Sequence, residues 1–250
     1  MTASTTPMTT DPGGDVRAKI GLLALLAGTA LNMLRMAPIF VSDGFEVDQL
    51  PPGNPDDLAT VATLSGWYVS HVMAILSVPL LVYGFVTVYR MVTDATSDPV
   101  AERVTLAGVF GLATGLTMYL VAAVLDGVGV PRAVEHFLDS NGTEREAAST
   151  VMTALHETAA SFGGHFMATV LFSSGLLGLG LVKLGRHRTL GIVGLAIGVV
   201  ALAGFVSGII DVTFQERFPL LGGFVGMMMV WWVALAVRLG RAQVAAATAR

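Results

Sequence analysis

SFGGHFMATVLFSSGLLGLGLVKLG, residues 161–185, carries one histidine near its start and one lysine near its end. About eighteen residues between His165 and Lys183 hold no charge, which at 1.5 Å per residue crosses most of a hydrocarbon core about 30 Å thick. A membrane-spanning helix is the direct reading. The same frame occurs at residues 71–90, HVMAILSVPLLVYGFVTVYR, where His71 opens the run and Arg90 is the next charge. His71-Val-Met-Ala and His165-Phe-Met-Ala begin these two segments alike.

The rest of the chain fits this frame. Of its 250 residues, 54% are hydrophobic and only 13% charged, with a mean hydropathy of +0.72. No ordinary soluble core hides that much apolar surface, so the lipid bilayer is the expected partner. No basic stripe or aromatic platform suggests nucleic acid. With no cysteine, disulfides, thiolate zinc sites, iron–sulfur clusters and thioether-linked haem are excluded.

Six apolar segments can be marked out. Residues 1–16 are rich in Thr, Pro and Gly and read as a disordered tail; the apolar run after them reads as a retained anchor, not a cleaved signal. Helix 1 is expected from Lys19 to Val41, with Asn32 and Arg35 on one face. Helix 2 is expected from Leu58 to Val92, its first turns amphipathic, and helix 3 from Arg103 to Val128, ending at GVGVPR. The polar segment AVEHFLDSNGTEREAAS then leads into helix 4, with a kink expected at Gly163-Gly164. Helix 5 reaches Asp211, and helix 6 spans Leu220 to Val237. The transmembrane domain is thus 17–241, followed by a cytoplasmic tail at 242–250.

Charge sets the orientation. With six spans and the N-terminus inside, ten Lys and Arg fall on the inner side and three, Arg132, Arg145 and Arg217, on the outer. The positive-inside rule then puts both termini in the cytoplasm of a multi-pass cell-membrane protein. The outer loops gather most of the acids, from Asp43, Glu46 and Asp48 to Glu144 and Glu146.

Depth singles out a polar layer. Asp126 lies 23 residues after Arg103, Asp211 lies 23 after Arg188, His71 precedes Arg90 by 19, and His165 precedes Lys183 by 18. All four therefore come near the outer membrane boundary, with Arg35 approaching the same height. MLR (33–35), VLD (124–126) and IID (209–211) each place a charge near the outer end of an odd-numbered helix. The fold class is thus an all-α integral membrane protein of six transmembrane helices, read as three diverged helical hairpins with a one-residue slip between helices 3 and 5.

Ionisable residues in spanning segments are costly and usually meet one another inside the bundle. A purely structural reading pairs Arg35 with Asp126 or Asp211 and lets the histidines bond to carbonyls. A functional reading makes His71, Asp126, His165 and Asp211 the ligands of a divalent metal, with Arg35 and Asn32 as electrostatic partners. A proton- or cation-coupled transporter is a second reading, although the inner halves of the helices are almost wholly apolar. A single haem between His71 and His165 is a third.

Other features are weaker. His156-Glu157 lacks the spacing of a zinc-protease helix and reads as a solvated face, as does Glu135-His136. Asn141-Gly142-Thr143 matches a glycosylation acceptor in an outward loop. Gly108, Gly111, Gly115, Gly175 and Gly178, with Gly194/Gly198 and Gly204/Gly208, allow close helix packing and contact between copies of the chain. Met227 to Met229 and Trp231-Trp232 read as core or lipid-facing groups.

Overall fold

A computed structural model describes residues 12–44, 52, 54–94, 98–185, 187–211 and 214–248, with side chains undescribed at 12–15, 201, 204–222 and 246–248. Every regular element among them is helical: α1 (Pro12–Leu34), α2 (Ala37–Phe40), α3 (Pro55–Thr63), α4 (Ser65–Thr93), α5 (Pro99–Val124), α6 (Val130–Asp139), α7 (Gly142–Lys183), α8 (Arg188–Asp211) and α9 (Phe214–Thr248). Five stretches are long and apolar enough to cross a membrane: Val16–Phe40, Ser65–Thr93, Pro99–Asp139, Gly142–Lys183 and Gly223–Ala245. In α8 the apolar stretch with described side chains is shorter, Arg188–Val200.

The long helices form a closed ring in which α1 packs on α4, α4 on α5, α5 on α7, α7 on α8 and α8 on α9, which returns to α1. Leu25, Leu81, Phe85, Leu112, Leu116, Leu177 and Trp232 fill its centre. Outside, large apolar side chains face away from the chain, among them Leu23, Phe110, Phe172 and Val230, with Phe110 72% exposed. Apolar side chains facing outward from helices that satisfy their backbone groups internally are what a bilayer requires. Several buried hydroxyls bond back into their own helices, as Thr29, Thr105 and Ser77 do to Leu25, Ala101 and Ala74, whereas that of buried Ser70 has no partner among the described residues.

Close helix approach depends on missing side chains. A Cβ on Gly175 would stand 2.8 Å from the Gly198 Cα, and one on Gly178 2.5 Å from the Leu195 nitrogen. These glycines therefore join α7 to α8 within the chain. On α9, Trp231 donates to the Leu190 carbonyl at 2.8 Å and Trp232 to Ser174 Oγ at 3.2 Å. The two indoles are buried and fix α9 to α8 and α7, whereas Met227 is exposed.

The helix ends differ from the sequence-based expectation for identifiable reasons. The first apolar run breaks at Arg35-Met36. The start of the expected second helix separates at Leu64 as α3, whose N-cap Asn54 accepts from the Asp57 N–H at 2.9 Å and whose Pro55 suits the first turn. The third helix does not stop at Val128. It passes through one π-helical turn, Leu125–Gly129, into α6. Pro131 cannot donate to the carbonyl four residues back and its ring would crowd it, and a one-residue bulge accommodates that defect without ending the helix. The polar segment 133–149 is helical on both sides of a break at Ser140-Asn141, and α7 runs unbroken through Gly163-Gly164 for 42 residues, about 63 Å.

That length is twice what a bilayer needs. The N-terminal half of α7 joins α2, α3 and α6 in a cap with its own core of Ile39, Leu58, Val61, Trp67, Val134, Phe137 and Met152. Arg145 ties the cap together: its guanidinium lies 3.9 Å over the Phe137 ring and 3.6 Å from Asp56.

Candidate functional site

The polar groups meet where the cap sits on the bundle. His71 is on α4, six residues past Ser65, and is almost fully buried. Its Nδ1 lies 2.7 Å from the Trp67 carbonyl. A carbonyl only accepts, so Nδ1 carries the hydrogen. Its Nε2 lies 3.3 Å from Asp126 Oδ2. Asp126 belongs to the π-helical turn, and its other oxygen, Oδ1, accepts from His156 Nδ1 of α7 at 2.9 Å. Trp67 closes the cluster by donating its indole N–H to the Asp126 carbonyl at 3.0 Å.

Gly127 makes this arrangement possible. A Cβ there would stand 2.2 Å from the Cβ of His71, so only glycine lets the π-turn lie against α4. The bulge and the glycine together place the Asp126 carboxylate between two imidazoles from two other helices.

Protons can be counted from the contacts. His71 uses its Nδ1 hydrogen on Trp67, and His156 uses its own on Asp126 Oδ1. The contact between His71 Nε2 and Asp126 Oδ2 is attractive only with one further proton, on either the imidazole or the carboxyl. His71 and Asp126 together then hold no net charge, which suits their burial.

A cavity of about 350 Å³ opens beside the cluster, lined by the ionisable residues Asp126, His71, His156, Glu157, Arg35 and Tyr119, by Asn54 and Thr153, and by apolar groups including Phe166. Tyr119, two helical turns below Asp126 on α5, donates its hydroxyl to the buried Asn32 at 3.2 Å. Its ring stacks on Phe166, with centroids 4.5 Å apart, and the Arg35 guanidinium lies 5.7 Å from its centre. No family model, curated protein or solved structure matches the chain. Function must therefore be argued from this geometry.

The residues singled out by depth have different fates. His71 and Asp126 come together. His165 does not join them: it is exposed on α7, bonded through Nδ1 to the Ser161 carbonyl of its own helix at 2.8 Å. Asp211 ends α8, and its side chain lies outside the described residues. Asn32 and Arg35 both engage Tyr119, and among the described residues no carboxylate forms an ion pair with Arg35. His156, expected on a solvated face, instead turns inward to Asp126. Glu135-His136 remains peripheral, with His136 exposed and 3.8 Å from Glu144. Asn141 is at the exposed turn before α7.

This geometry bears on the metal and haem readings. Among the described residues no group of three His, Asp or Glu is set to hold a metal ion; each Asp126 oxygen faces a separate imidazole. His71 has both ring nitrogens engaged, and His165 is absent from the cavity wall, so they do not flank a haem site.

Proposed function

We propose that this chain is a proton-coupled protein of the cell membrane, with six spans and both termini in the cytoplasm, whose coupling site is the His71–Asp126–His156 cluster at the outer face. The observation that carries the reading is the Asp126 carboxylate held between two imidazoles at the wall of a cavity, in a contact that needs one shared proton. Gain or loss of that proton changes the charge of the cavity wall by one unit beside the Arg35 guanidinium. A ligand entering the cavity and a proton entering the cluster therefore affect each other's binding, and reciprocally so. The apolar bundle centre below the cluster supports exchange with the outer aqueous side only in this conformation.

The test is an infrared titration of the purified full chain in lipid. The carboxylate band that disappears in Asp126→Asn should shift between about pH 4 and pH 9, as the neighbouring imidazole gains or loses its proton. Substituting His156 should move the transition. A band that stays constant over the whole range, or a transition unchanged by Asp126→Asn, overturns the reading.

A further inference from the structure

At the opposite end of the bundle a second cavity, about 480 Å³, lies between the start of α8 and the end of α9. Arg238, Arg241, His187 and Thr189 line it, with Leu190 and Val237 as apolar wall. Among the described residues no acidic side chain lines it, and neither arginine forms an ion pair. Arg238 and Arg241 are three apart and share a helix face, where like charges oppose each other unless an anion lies between or above them. Trp231, two turns deeper, holds the Leu190 carbonyl at 2.8 Å and so fixes the wall between the two helices.

We infer that this cavity is a phosphate-binding site that takes the headgroup of an anionic phospholipid from the inner leaflet. Two guanidiniums present paired N–H donors of the geometry that phosphate oxygens accept bidentately. The apolar wall below them suits the start of an acyl chain, which free phosphate lacks. The cavity also lies at the end of the bundle where positive residues collect, and basic pockets between spanning helices on that side are suited to anionic headgroups. The site is separate from the His71–Asp126–His156 cluster and does not depend on how that cluster works.

Native mass spectrometry of the full chain in neutral detergent tests this, with phosphatidylglycerol and phosphatidylcholine titrated in parallel and inorganic phosphate as competitor. The expected result is about a tenfold preference for phosphatidylglycerol, abolished in Arg238→Gln/Arg241→Gln and kept in Arg103→Gln, a basic position on α5. The Arg238→Lys/Arg241→Lys pair should retain part of the preference, and it supplies the test if the glutamine pair does not fold. Displacement by millimolar inorganic phosphate assigns the site to a free phosphate; resistance to it assigns the site to the bilayer. Equal retention of the two lipids, or an unchanged preference in the glutamine pair, overturns the inference.

Discussion

Replacing Gly127 by alanine tests the contact on which the polar cluster is built. The new Cβ would stand 2.2 Å from the Cβ of His71 and 2.6 Å from its Cγ, whereas carbon atoms settle at about 3.5–4.0 Å. Neither atom is the free end of a flexible chain, so α4 and the π-helical turn must part by roughly 1.3 Å or more. The His71–Asp126 contact, 3.3 Å in the native chain, would open to about 4.6 Å and lose its shared proton. Overpacking at a rigid position costs about 3 kcal/mol, and removing a helical glycine returns up to about 1 kcal/mol, leaving a net loss of about 2 kcal/mol. For a chain of this size that is a fall in Tm of about 4–8 °C, read by thermal unfolding in mild detergent. Gly129→Ala is the control, because its Cβ would meet Leu155 at an ordinary 3.7 Å in the same turn. If Gly127→Ala melts within about 1 °C of wild type and leaves the His71 ring resonances unmoved, the close approach is not a feature of the folded protein.

Other substitutions separate the groups within the cluster from those outside it. His156→Ala leaves Asp126 Oδ1 without its partner and should cost about 1–3 kcal/mol in denaturant unfolding, whereas His165→Ala should stay within about 0.5 kcal/mol because His165 is exposed and bonds only within its own helix; equal losses would contradict the placement of the two rings. Gly175→Val should destabilise by about 3 kcal/mol through collision with Gly198 across the α7–α8 contact, and a wild-type Tm would refute that contact. Trp232→Phe and Ser174→Ala should be non-additive by roughly 1 kcal/mol in a double-mutant cycle, reporting their 3.2 Å hydrogen bond.

The long apolar helices and the meeting of His71 with Asp126 were legible in the sequence, because composition marks the helices and rise per residue brings the two side chains to one level. The cap was not. Its helices α3 and α6 are short and polar on one side, so their apolar positions, Leu58 and Val61 or Val134 and Phe137, read as amphipathic fragments until a partner is known. His156 is hidden for a related reason: beside Glu157 it reads as part of a local ligand motif rather than as a point on a long helix. A signal was present. His156, Ala160, Gly163 and Met167 recur at the helical spacing of one face and line one cavity, whereas His165, nine residues from His156, falls about 180° around the helix. Two histidines so placed on one straight helix cannot serve one site. The π-helical turn could not be read from composition at all, since Pro131 signals a defect but not whether the chain answers by stopping or by bulging.

The unbroken α7 also has mechanical consequences. Gly175 touches Gly198 with no side chains between, a natural fulcrum, and His156 lies nineteen residues farther out, at the end of an arm about 28 Å long. A rocking of only about 5° about that fulcrum sweeps the imidazole through about 2.5 Å, nearly its whole 2.9 Å separation from Asp126. The other end of the same lever carries Lys183, eight residues beyond Gly175. A change in one proton's position at the top and a small displacement at the bottom are thus two ends of one rigid rod.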